Sequence, residues 1–314
     1  CLNEGCIPTK TLLYSAKTYD SARHASKYAV NVSEVSFDLP KIIARKQKVV
    51  RKLVLGVKGK LTNNVTIVNG EASIVDKNHV LCGDETYECD NLLLCTGSET
   101  FIPPIPGIDT VPYWTHRDAL DNKELPKSLV VIGGGVIGME FASFFNSLGV
   151  EVTVIEMLDE ILGGMDKELS AMLRAEYAKR GIKFMLNTKV VSLDGSTGEN
   201  GETQVRVNYG NAEGTGFSVA EKLLMSVGRR PVTKGFGLEN LNPEKTERGN
   251  IRVDGQMRTS VTGVYACGDL TGFSLLAHTA VREAEVAVHA VLGKKDCMSY
   301  RAIPGVVYTN PEIA

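Results

Sequence analysis

The sequence predicts an α/β protein that contains a parallel sheet, and two observations lead to this prediction. First, the apolar segment Leu129–Ile132 runs directly into the glycine-rich stretch Gly133–Gly138, and a helical pattern follows. Second, the next apolar segment, Glu151–Ile155, is followed by the acidic residue Glu156, 18 positions after Gly138. A strand, a G-x-G-x-x-G turn, a helix and a second strand with a terminal acid together form the dinucleotide-binding βαβ unit.

Each residue of this unit has an expected role. Gly133 makes the tight turn, Gly135 lets a pyrophosphate approach the helix N-terminus, and Gly138 lets the helix pack against the strand. Glu156 would accept hydrogen bonds from ribose hydroxyls and would repel a 2′-phosphate. The four residues after Glu156 are Met, Leu, Asp and Glu, so no nearby arginine is available for that phosphate. The sequence therefore favours NAD over NADP.

Length and composition limit the classes of protein. The 314 residues suffice for two or more domains, each with its own core, and Leu125-Pro126 marks one expected boundary. A hydrophobic content of 43% with 23% charged residues fits a globular α/β protein. The formal net charge of -2 gives no electrostatic reason to expect nucleic acid or an anionic membrane as a partner. No apolar run approaches the roughly 20 residues of a membrane span.

The first residues carry a second chemical signal, the pair Cys1 and Cys6, followed by Lys10. In a regular helix their Cα atoms would lie about 8–9 Å apart, beyond the roughly 4.4–6.8 Å that is usual for a disulfide. We therefore expect the helix to begin near Cys6 or Ile7, with Cys1 folded back from a loop or distorted turn and Gly5 permitting the close approach. One sulfur would then lie at the positive end of a helix dipole, where thiolates are stabilised, and Lys10 would share a face with Cys6.

The cysteine pair alone leaves its chemistry open. It could be a redox pair, a structural disulfide or two buried thiols. A zinc or iron–sulfur site is disfavoured, because no second Cys/His cluster follows at ligand spacing, and no metal is expected. The other cysteines are scattered along the chain, which favours a reducing compartment with one special pair. They are Cys82, Cys89, Cys95, Cys267 and Cys297.

The rest of the chain alternates between helical and strand-like patterns. The further expected helices are Ile7–Ala29, Leu39–Gly56, Asp166–Arg180 and Leu275–Leu292. The further expected strands are Val65–Val68, Ala72–Val75, His79–Cys82, Tyr87–Leu94, Ile182–Leu186, the β-meander Val190–Leu193, Gln204–Val207 and Phe217–Met225, and the strand that ends in Gly268-Asp269. A β-rich segment is expected to begin at Ile303.

Three strand ends carry small or polar residues that could contact a ligand, and each has an alternative. Thr96-Gly97-Ser98 would let backbone approach a ligand, or would form a plain turn. Gly228-Arg229-Arg230 would contact a cofactor or form a solvated loop. Asp269 would accept hydrogen bonds from a polyol, with Gly268 allowing the approach, or would cap the helix that follows.

Seven motifs in order give the chain a family resemblance. They are Cys1–Lys10, Cys95–Ser98, Gly133–Glu140, Ser226–Pro231, Tyr265–Leu270, Leu276–His278 and Tyr308–Glu312. In these motifs the chain resembles the flavoprotein pyridine-nucleotide–disulfide oxidoreductases, and within them most closely the dihydrolipoamide dehydrogenases. The resemblance implies two Rossmann-like dinucleotide-binding domains, for FAD and for NAD(P), built in three layers from a parallel sheet and a β-meander. The start of an α+β dimerisation domain would follow.

The resemblance also implies a division of the chain into four parts. Residues 1–125 would be part of the FAD-binding domain without its first βαβ unit, and residues 126–230 would be the NAD-binding domain. Residues 231–297 would return to the FAD-binding domain, and residues 298–314 would begin the interface domain.

The resemblance assigns roles to the residues that match the family's motifs. Cys6 would be the sulfur nearest the flavin, and Cys1 would exchange with the substrate disulfide or dithiol. Lys10 would lie near the flavin's reactive nitrogen, paired with Glu140 beside the nicotinamide. FAD would contact Thr96, Gly97, Ser98, Asp269, Leu276, Ala277 and His278. NAD would contact Gly133, Gly135, Gly138, Glu156, Gly228 and Arg229.

The implied activity is that of a dihydrolipoyl dehydrogenase, which oxidises protein-bound dihydrolipoamide through Cys1/Cys6 and FAD and passes a hydride to NAD. Its partners would be lipoyl domains of 2-oxo acid dehydrogenase complexes or the glycine cleavage protein. The full-length protein would be a homodimer in the bacterial cytoplasm, with the mitochondrial matrix as the alternative. One alternative function is a glutathione- or mercuric-reductase-like enzyme, which would prefer NADPH.

The sequence departs from the family in two places. The first glycine-rich loop, which would bind the FAD pyrophosphate, would precede Cys1, and the C-terminal dimerisation domain with its His-Glu pair would follow Ala314. The resemblance therefore implies a chain shortened at both ends. We expect the chain as it stands to bind FAD poorly and to turn over little lipoamide, and its alternative description is a catalytically incompetent nucleotide-binding fragment.

Overall fold

The computed structural model describes residues 1–61, 64–198 and 201–314. Within them the helices are α1 (Cys6–Arg23), α2 (Leu39–Lys58), α3 (His116–Asp121), α4 (Val136–Ser147), α5 (Lys167–Lys179) and α6 (Ala277–Val291). The first seven strands are β1 (Ala72–Ile74), β2 (His79–Cys82), β3 (Glu85–Glu88), β4 (Leu92–Leu94), β5 (Ser98–Thr100), β6 (Ser128–Ile132) and β7 (Glu151–Ile155). The others are β8 (Lys183–Met185), β9 (Lys189–Thr197), β10 (Thr203–Asn211), β11 (Gly214–Ala220), β12 (Lys222–Met225), β13 (Arg229–Pro231) and β14 (Val264–Ala266).

The chain divides into two compact units, each assembled from separated segments. Unit 1 comprises residues 1–60, 100–228 and 305–314, and unit 2 comprises residues 61–99 and 229–304. Because segments distant in sequence share a unit, each unit depends on long-range contacts. The division into four sequence segments remains a prediction.

Unit 1 is built on a parallel four-stranded sheet in the order β12-β6-β7-β8. In its register Val131 faces Leu224 on one side and Val154 on the other, and all three side chains are buried. Strands buried on both faces read as continuous apolar runs, which explains the sequence of β6. Helix α4 follows β6 and packs with α1 and β7, while an antiparallel meander in the order β11-β10-β9 completes the unit.

Unit 2 contains an antiparallel sheet in the order β1-β2-β3 and two strand pairs, β14 with β4 and β13 with β5. The β4–β14 pair is parallel, with Leu94 opposite Ala266, and both of these residues are buried. Helix α6 buries Val286 and Ala287 in a cluster that also contains Met257. The two strand pairs of this unit therefore join segments that are far apart in the sequence.

The parallel sheet and the β-meander confirm the predicted fold class, but several predicted elements are wrong in detail. Val65–Val68 is not a strand. The predicted strand Tyr87–Leu94 is broken by a bend at Asp90 into β3 and β4, which belong to different sheets. The predicted strand Phe217–Met225 is likewise broken at Glu221, whose backbone N–H donates to Ser128 Oγ (3.0 Å) while its carboxylate accepts from the Lys127 N–H (2.8 Å).

The two ends of the chain also differ from the prediction. Helix α1 ends at Arg23, and a short 3-10 helix over Ala25–Tyr28 replaces the rest of the expected helix. The segment after Ile303 forms only the isolated bridge between Val307 and Ile313. Among the described residues, no helix combines the length and apolar character needed to cross a membrane.

Candidate active site

The first feature of the site is a disulfide between Cys1 and Cys6, with the two Cα atoms 4.5 Å apart. Helix α1 begins at Cys6, as predicted, and Gly5 is its N-cap. The chain folds back so that the Ile7 N–H donates to the Cys1 carbonyl (3.1 Å). A Cβ at Gly5 would lie 3.0 Å from Cys1 Cα, which explains why glycine suits the turn. The Cys6 sulfur is therefore at the positive end of α1.

One helical turn after Cys6, Lys10 forms an ion pair with Glu140 of α4. The Lys10 Nζ lies 2.8 Å from Glu140 Oε1 and 3.1 Å from Oε2, and the Glu140 side chain is only 4% exposed. The backbone N–H of Tyr308 donates to Glu140 Oε1 (3.2 Å), and Lys10 Nζ is 4.7 Å from the centroid of the Tyr308 ring. The predicted pairing of Lys10 with Glu140 is thus present, and it fixes a cation on the helix that carries Cys6.

Sequence reasoning missed the residues that hold Tyr308 in place. Two positions later, the Asn310 N–H donates to the Tyr177 hydroxyl (2.9 Å), and that hydroxyl donates to Ser143 Oγ (2.5 Å). Tyr177 is completely buried, and its burial raises its pKa. A buried phenol keeps its hydroxyl hydrogen-bonded, so this chain of contacts anchors the segment against α4. No local pattern points to the contact, because Ser143 and Asn310 are far apart in sequence.

The glycine loop between β6 and α4 has the shape expected of a pyrophosphate cradle. Gly133 has φ +101°, and a Cβ there would lie 2.3 Å from the Ser226 carbonyl oxygen. A Cβ at Gly138 would lie 2.1 Å from the Gly133 carbonyl oxygen, whereas at Gly135 no described residue beyond its two chain neighbours lies within 4 Å of the Cβ position. The next residues, at the start of α4, are exposed. The loop therefore has room for an anion at a helix N-terminus, and contact with NAD stays a prediction.

Glu156 lies beside this loop. Its Oε2 accepts a hydrogen bond from the Gly134 N–H (2.6 Å), and its Oε1 accepts one from the Leu158 N–H (2.8 Å). The spacing of 18 residues between Gly138 and Glu156 therefore brings the acid to the glycine loop in the folded chain. Its contact with a ribose remains a prediction.

Unit 2 brings together Ser98, Arg229 and Asp269. The Ser98 hydroxyl donates to Asp269 Oδ2 (2.5 Å), and Arg229 donates from Nε to Ser98 Oγ (2.7 Å) and from Nη2 to the Ser98 carbonyl (2.5 Å). Arg229 Nε is 3.9 Å from Asp269 Oδ2. The structure thus places Arg229, which the sequence grouped with the NAD residues, against two residues expected to bind FAD.

The remaining predicted FAD residues lie in the same unit. Thr96 donates its hydroxyl hydrogen to the Val232 carbonyl (2.8 Å), and Gly97 has φ +69°, with its Cβ position more than 4 Å from every described residue except its chain neighbours. Leu276 is the N-cap of α6, whose first two residues, Ala277 and His278, are exposed. An open glycine and an exposed helix N-terminus fit a phosphate-bearing ligand. Binding of FAD by these residues stays a prediction.

A buried carboxylate that sequence reasoning missed supports the Gly268-Asp269 turn. Glu283 of α6 is fully buried, and its Oε2 accepts a hydrogen bond from the Gly268 N–H (2.6 Å). Its Oε1 accepts from the Tyr300 hydroxyl (2.7 Å). Burial raises the pKa of Glu283, and the hydrogen bonds oppose this shift. Its position inside α6, six residues after Ala277, gave no signal beyond an acid on a helix.

Comparison with known proteins places the chain in a family. Residues 1–284 match the family described as pyridine nucleotide-disulphide oxidoreductase. The whole chain is 37% identical to a dihydrolipoyl dehydrogenase of Chlamydia pneumoniae, of which it covers 67%. It is 38% identical to a dihydrolipoyl dehydrogenase of Geobacillus stearothermophilus, of which it covers 67%, and 37% identical to dihydrolipoyl dehydrogenase 1, mitochondrial, of Arabidopsis thaliana, of which it covers 63%. The chain thus spans about two thirds of the length of these relatives.

The fold is also that of a solved flavoprotein disulfide reductase. The HOCl-induced flavoprotein disulfide reductase RclA from Escherichia coli, solved as a Cu(II) complex, superposes with a TM-score of 0.84 and 29% sequence identity. The match covers 99% of this chain and 67% of RclA. The seven motifs, the glycine loop and the disulfide therefore agree with the comparisons: the chain belongs to the pyridine nucleotide-disulphide oxidoreductase family, whose members use FAD and NAD(P).

Proposed function

We propose that the whole protein is an NAD-dependent dihydrolipoyl dehydrogenase that uses Cys1 and Cys6 as its redox pair. The observation that carries this proposal is the Cys1–Cys6 disulfide at the start of α1, with the Lys10–Glu140 ion pair one turn further along. Identity of 37–38% to dihydrolipoyl dehydrogenases over the whole chain supports the choice of substrate. FAD, when bound, would take the electron pair from the reduced cysteines and pass a hydride to the nicotinamide.

The two sulfurs have different proposed tasks. Cys1 is exposed and Cys6 is half-buried, so an incoming dihydrolipoyl thiolate reaches Cys1. Its attack forms a mixed disulfide at Cys1 and breaks the Cys1–Cys6 bond, so that Cys6 leaves as a thiolate. The second lipoyl thiol, once deprotonated, attacks the lipoyl sulfur bound to Cys1. This step releases oxidised lipoamide and leaves two reduced cysteines in the protein.

The surroundings of Cys6 favour its thiolate. Cys6 is the first residue of α1, where the free backbone N–H groups and the helix dipole stabilise negative charge. Lys10 adds a positive charge on the same face, and Glu140, whose carboxylate also accepts from the Tyr308 N–H, holds that lysine in one position. We propose that Lys10 and Glu140 act next to the reacting cofactor rings, and that Gly133, Gly135, Gly138 and Glu156 hold NAD.

The remaining proposals concern the cofactor contacts, the partners and the location of the protein. Thr96, Gly97, Ser98, Asp269 and the start of α6 at Leu276, Ala277 and His278 would hold FAD. Gly228 and Arg229 would contact NAD. The partners would be lipoyl domains of 2-oxo acid dehydrogenase complexes or of the glycine cleavage system, and the protein would act as a homodimer. We propose the bacterial cytoplasm as its location, with the mitochondrial matrix as the alternative.

A second candidate is a flavin disulfide reductase with another substrate, favoured by the likeness to RclA at 28–29% identity. In its glutathione- or mercuric-reductase-like form this candidate would take electrons from NADPH, whereas Glu156 would repel the 2′-phosphate of that cofactor. The two candidates therefore differ in both the nucleotide and the disulfide substrate.

The test measures lipoamide reduction by the whole, flavin-loaded protein with NADH and with NADPH. We expect NADH to be the better donor and lipoamide to be reduced. Cys1→Ser and Cys6→Ser should each abolish turnover. Cys6→Ser should also remove the long-wavelength absorbance band of the two-electron-reduced protein, which would come from charge transfer between the Cys6 thiolate and the flavin. Cys297→Ser, which replaces an exposed free cysteine, is the matched control and should keep full activity. A strong NADPH preference without lipoamide reduction would favour the second candidate.

A further inference from the structure

A second pair of cysteines meets in unit 2, although the two are 172 residues apart in the sequence. Cys95 directly follows β4, and Cys267 directly follows β14. These strands are parallel neighbours with Leu94 opposite Ala266, so both cysteines lie at the same end of the pair, just after the last paired residues. The Cys267 N–H donates to the Leu94 carbonyl (3.1 Å), which keeps the strands in register up to the cysteines.

The two sulfurs are already in contact. Their Sγ atoms lie 3.4 Å apart, and both cysteines are free thiols. Neighbouring strands are about 4.7–4.9 Å apart, which lies inside the roughly 4.4–6.8 Å that Cα atoms need for a disulfide. A bond of about 2.05 Å therefore requires the sulfurs to approach by a little over an ångström, which side-chain rotation can supply without separating the strands.

Exposure and charge assign different roles to the two thiols. Cys95 is exposed, whereas Cys267 is 4% exposed. A hydrogen bond from the Cys267 thiol lowers the pKa of Cys95. The same contact, followed by burial and the nearby carboxylate of Glu283, raises the pKa of Cys267. The accessible sulfur is therefore also the one that ionises first, and the thiolate is the nucleophile in disulfide exchange.

We propose that Cys95 and Cys267 form a second redox pair, which small-molecule disulfides oxidise reversibly and which works without Cys1 and Cys6. The Cys95 thiolate attacks one sulfur of the small disulfide, forms a mixed disulfide and releases the first small thiolate. Cys267 then loses its proton to solvent, and its thiolate attacks the Cys95 sulfur and releases the second. The protein loses two electrons and two protons, and the small disulfide becomes two thiols.

Oxidation at this position would link two strand ends that carry proposed ligand-binding residues. Thr96 and Gly97 follow Cys95, and Gly268 and Asp269 follow Cys267. The bond would add a covalent link to the hydrogen bond that already joins Ser98 to Asp269. Neither Cys1 nor Cys6 takes part in this oxidation, so the second pair is independent of the proposed function.

The test treats the reduced, flavin-loaded protein with oxidised glutathione and maps its cysteines by mass spectrometry after quenching in acid. We expect a peptide pair linked through Cys95 and Cys267 that dithiothreitol separates. Cys267→Ser should accumulate a glutathione adduct on Cys95, because the resolving thiol is gone. Cys95→Ser should lose the linked pair and leave the buried Cys267 unmodified. The pair should still form in a Cys1→Ser/Cys6→Ser double variant.

Two controls keep the result decisive. Cys297 is a free and exposed cysteine, and its modification shows that the reagent reaches exposed thiols. If Cys297 acquires glutathione while Cys95 and Cys267 both remain free in the wild-type protein, the proposal is wrong. Loss of the linked pair in the Cys1→Ser/Cys6→Ser variant would also overturn it, because the second pair would then depend on the first. The wild-type map decides the question even if a variant fails to fold.

Discussion

A single methyl group at position 138 tests how closely α4 must approach the glycine loop. In Gly138→Ala the new Cβ would lie 2.1 Å from the Gly133 carbonyl oxygen and 3.2 Å from both Ser226 Oγ and Val131 Cγ1. Ordinary van der Waals contact begins at about 3.4 Å, so the helix and the loop must separate by roughly 1.3 Å. The obstructing atom belongs to the backbone and cannot rotate away.

The cost follows from two opposing effects. Overpacking a tight site costs up to about 3 kcal/mol, and the rigid backbone contact places Gly138→Ala at that end. Alanine in a helix is favoured over glycine by about 1 kcal/mol. We therefore expect a net loss of about 2 kcal/mol in the free energy of unfolding. Gly135→Ala is the matched control, because in the described part of the chain only its sequence neighbours come within 4 Å of its Cβ position, and its φ of -70° suits alanine.

Urea unfolding followed by tryptophan fluorescence measures this difference. The sequence contains one tryptophan, Trp114, whose ring centroid lies 5.9 Å from that of Phe145 on α4. We expect a lower unfolding midpoint for Gly138→Ala and a nearly unchanged one for Gly135→Ala. The latter should instead weaken NADH binding, because its methyl group occupies the space proposed for the pyrophosphate. Equal midpoints for wild type and Gly138→Ala, or a larger loss for Gly135→Ala, would refute the close-packing argument.

Three further predictions follow from the ion pairs and carboxylates. Lys10→Met should lower the free energy of unfolding by about 3 kcal/mol in urea titrations, the low end for a buried pair because the Lys10 side chain is 32% exposed, since it leaves the buried Glu140 carboxylate without its cation, and Lys10→Met/Glu140→Leu should recover most of this loss. If the double variant is no more stable than Lys10→Met, the pairing argument fails. Glu283 has a raised pKa in the folded state, so the stability that it contributes is complete below its ordinary value of 4.5 and falls as pH rises through the raised value. Unfolding midpoints measured from pH 4 to pH 8 should show this decline in wild type and lack it in Glu283→Gln, and parallel curves would contradict it. Glu156→Ala should weaken NADH binding and reduce the ratio of NADH affinity to NADPH affinity in fluorescence titrations. An unchanged ratio would show that Glu156 does not bind the ribose.

Local patterns predicted much of the fold. The apolar segments around the glycine loop became β6 and β7, and the expected start of α1 at Cys6 is present. These elements are encoded by short-range features: continuous apolar runs, a G-x-G-x-x-G turn, and the geometry that prevents Cys1 from joining a regular helix. Two long apolar segments were wrongly predicted to be single strands. Tyr87–Leu94 and Phe217–Met225 each contain a break that assigns their halves to different sheets.

The candidate site could be predicted only where its parts are close in sequence or match a known motif. Residues with a motif, such as Lys10 and Glu140, were expected to pair and do so at 2.8 Å. Glu283 and Tyr177 were not found, since a single acid or phenol on a helix gives no sign of the distant backbone N–H that it will meet. The position of the Arg229 side chain also depends on a distant hydrogen-bond partner, Ser98, and not on its sequence neighbours.

The βαβ unit, the cysteine pair at the start of α1 and the family could all be read from the sequence, because each depends on residues at fixed short spacings. Which distant residues meet is known only from the folded chain. Cys95 and Cys267 looked like scattered thiols, yet two parallel strands end at the same edge and bring their sulfurs to 3.4 Å. Strand pairing joins residues through hydrogen bonds between two chain segments. The register of that pairing depends on both segments together, so neither segment alone predicts it.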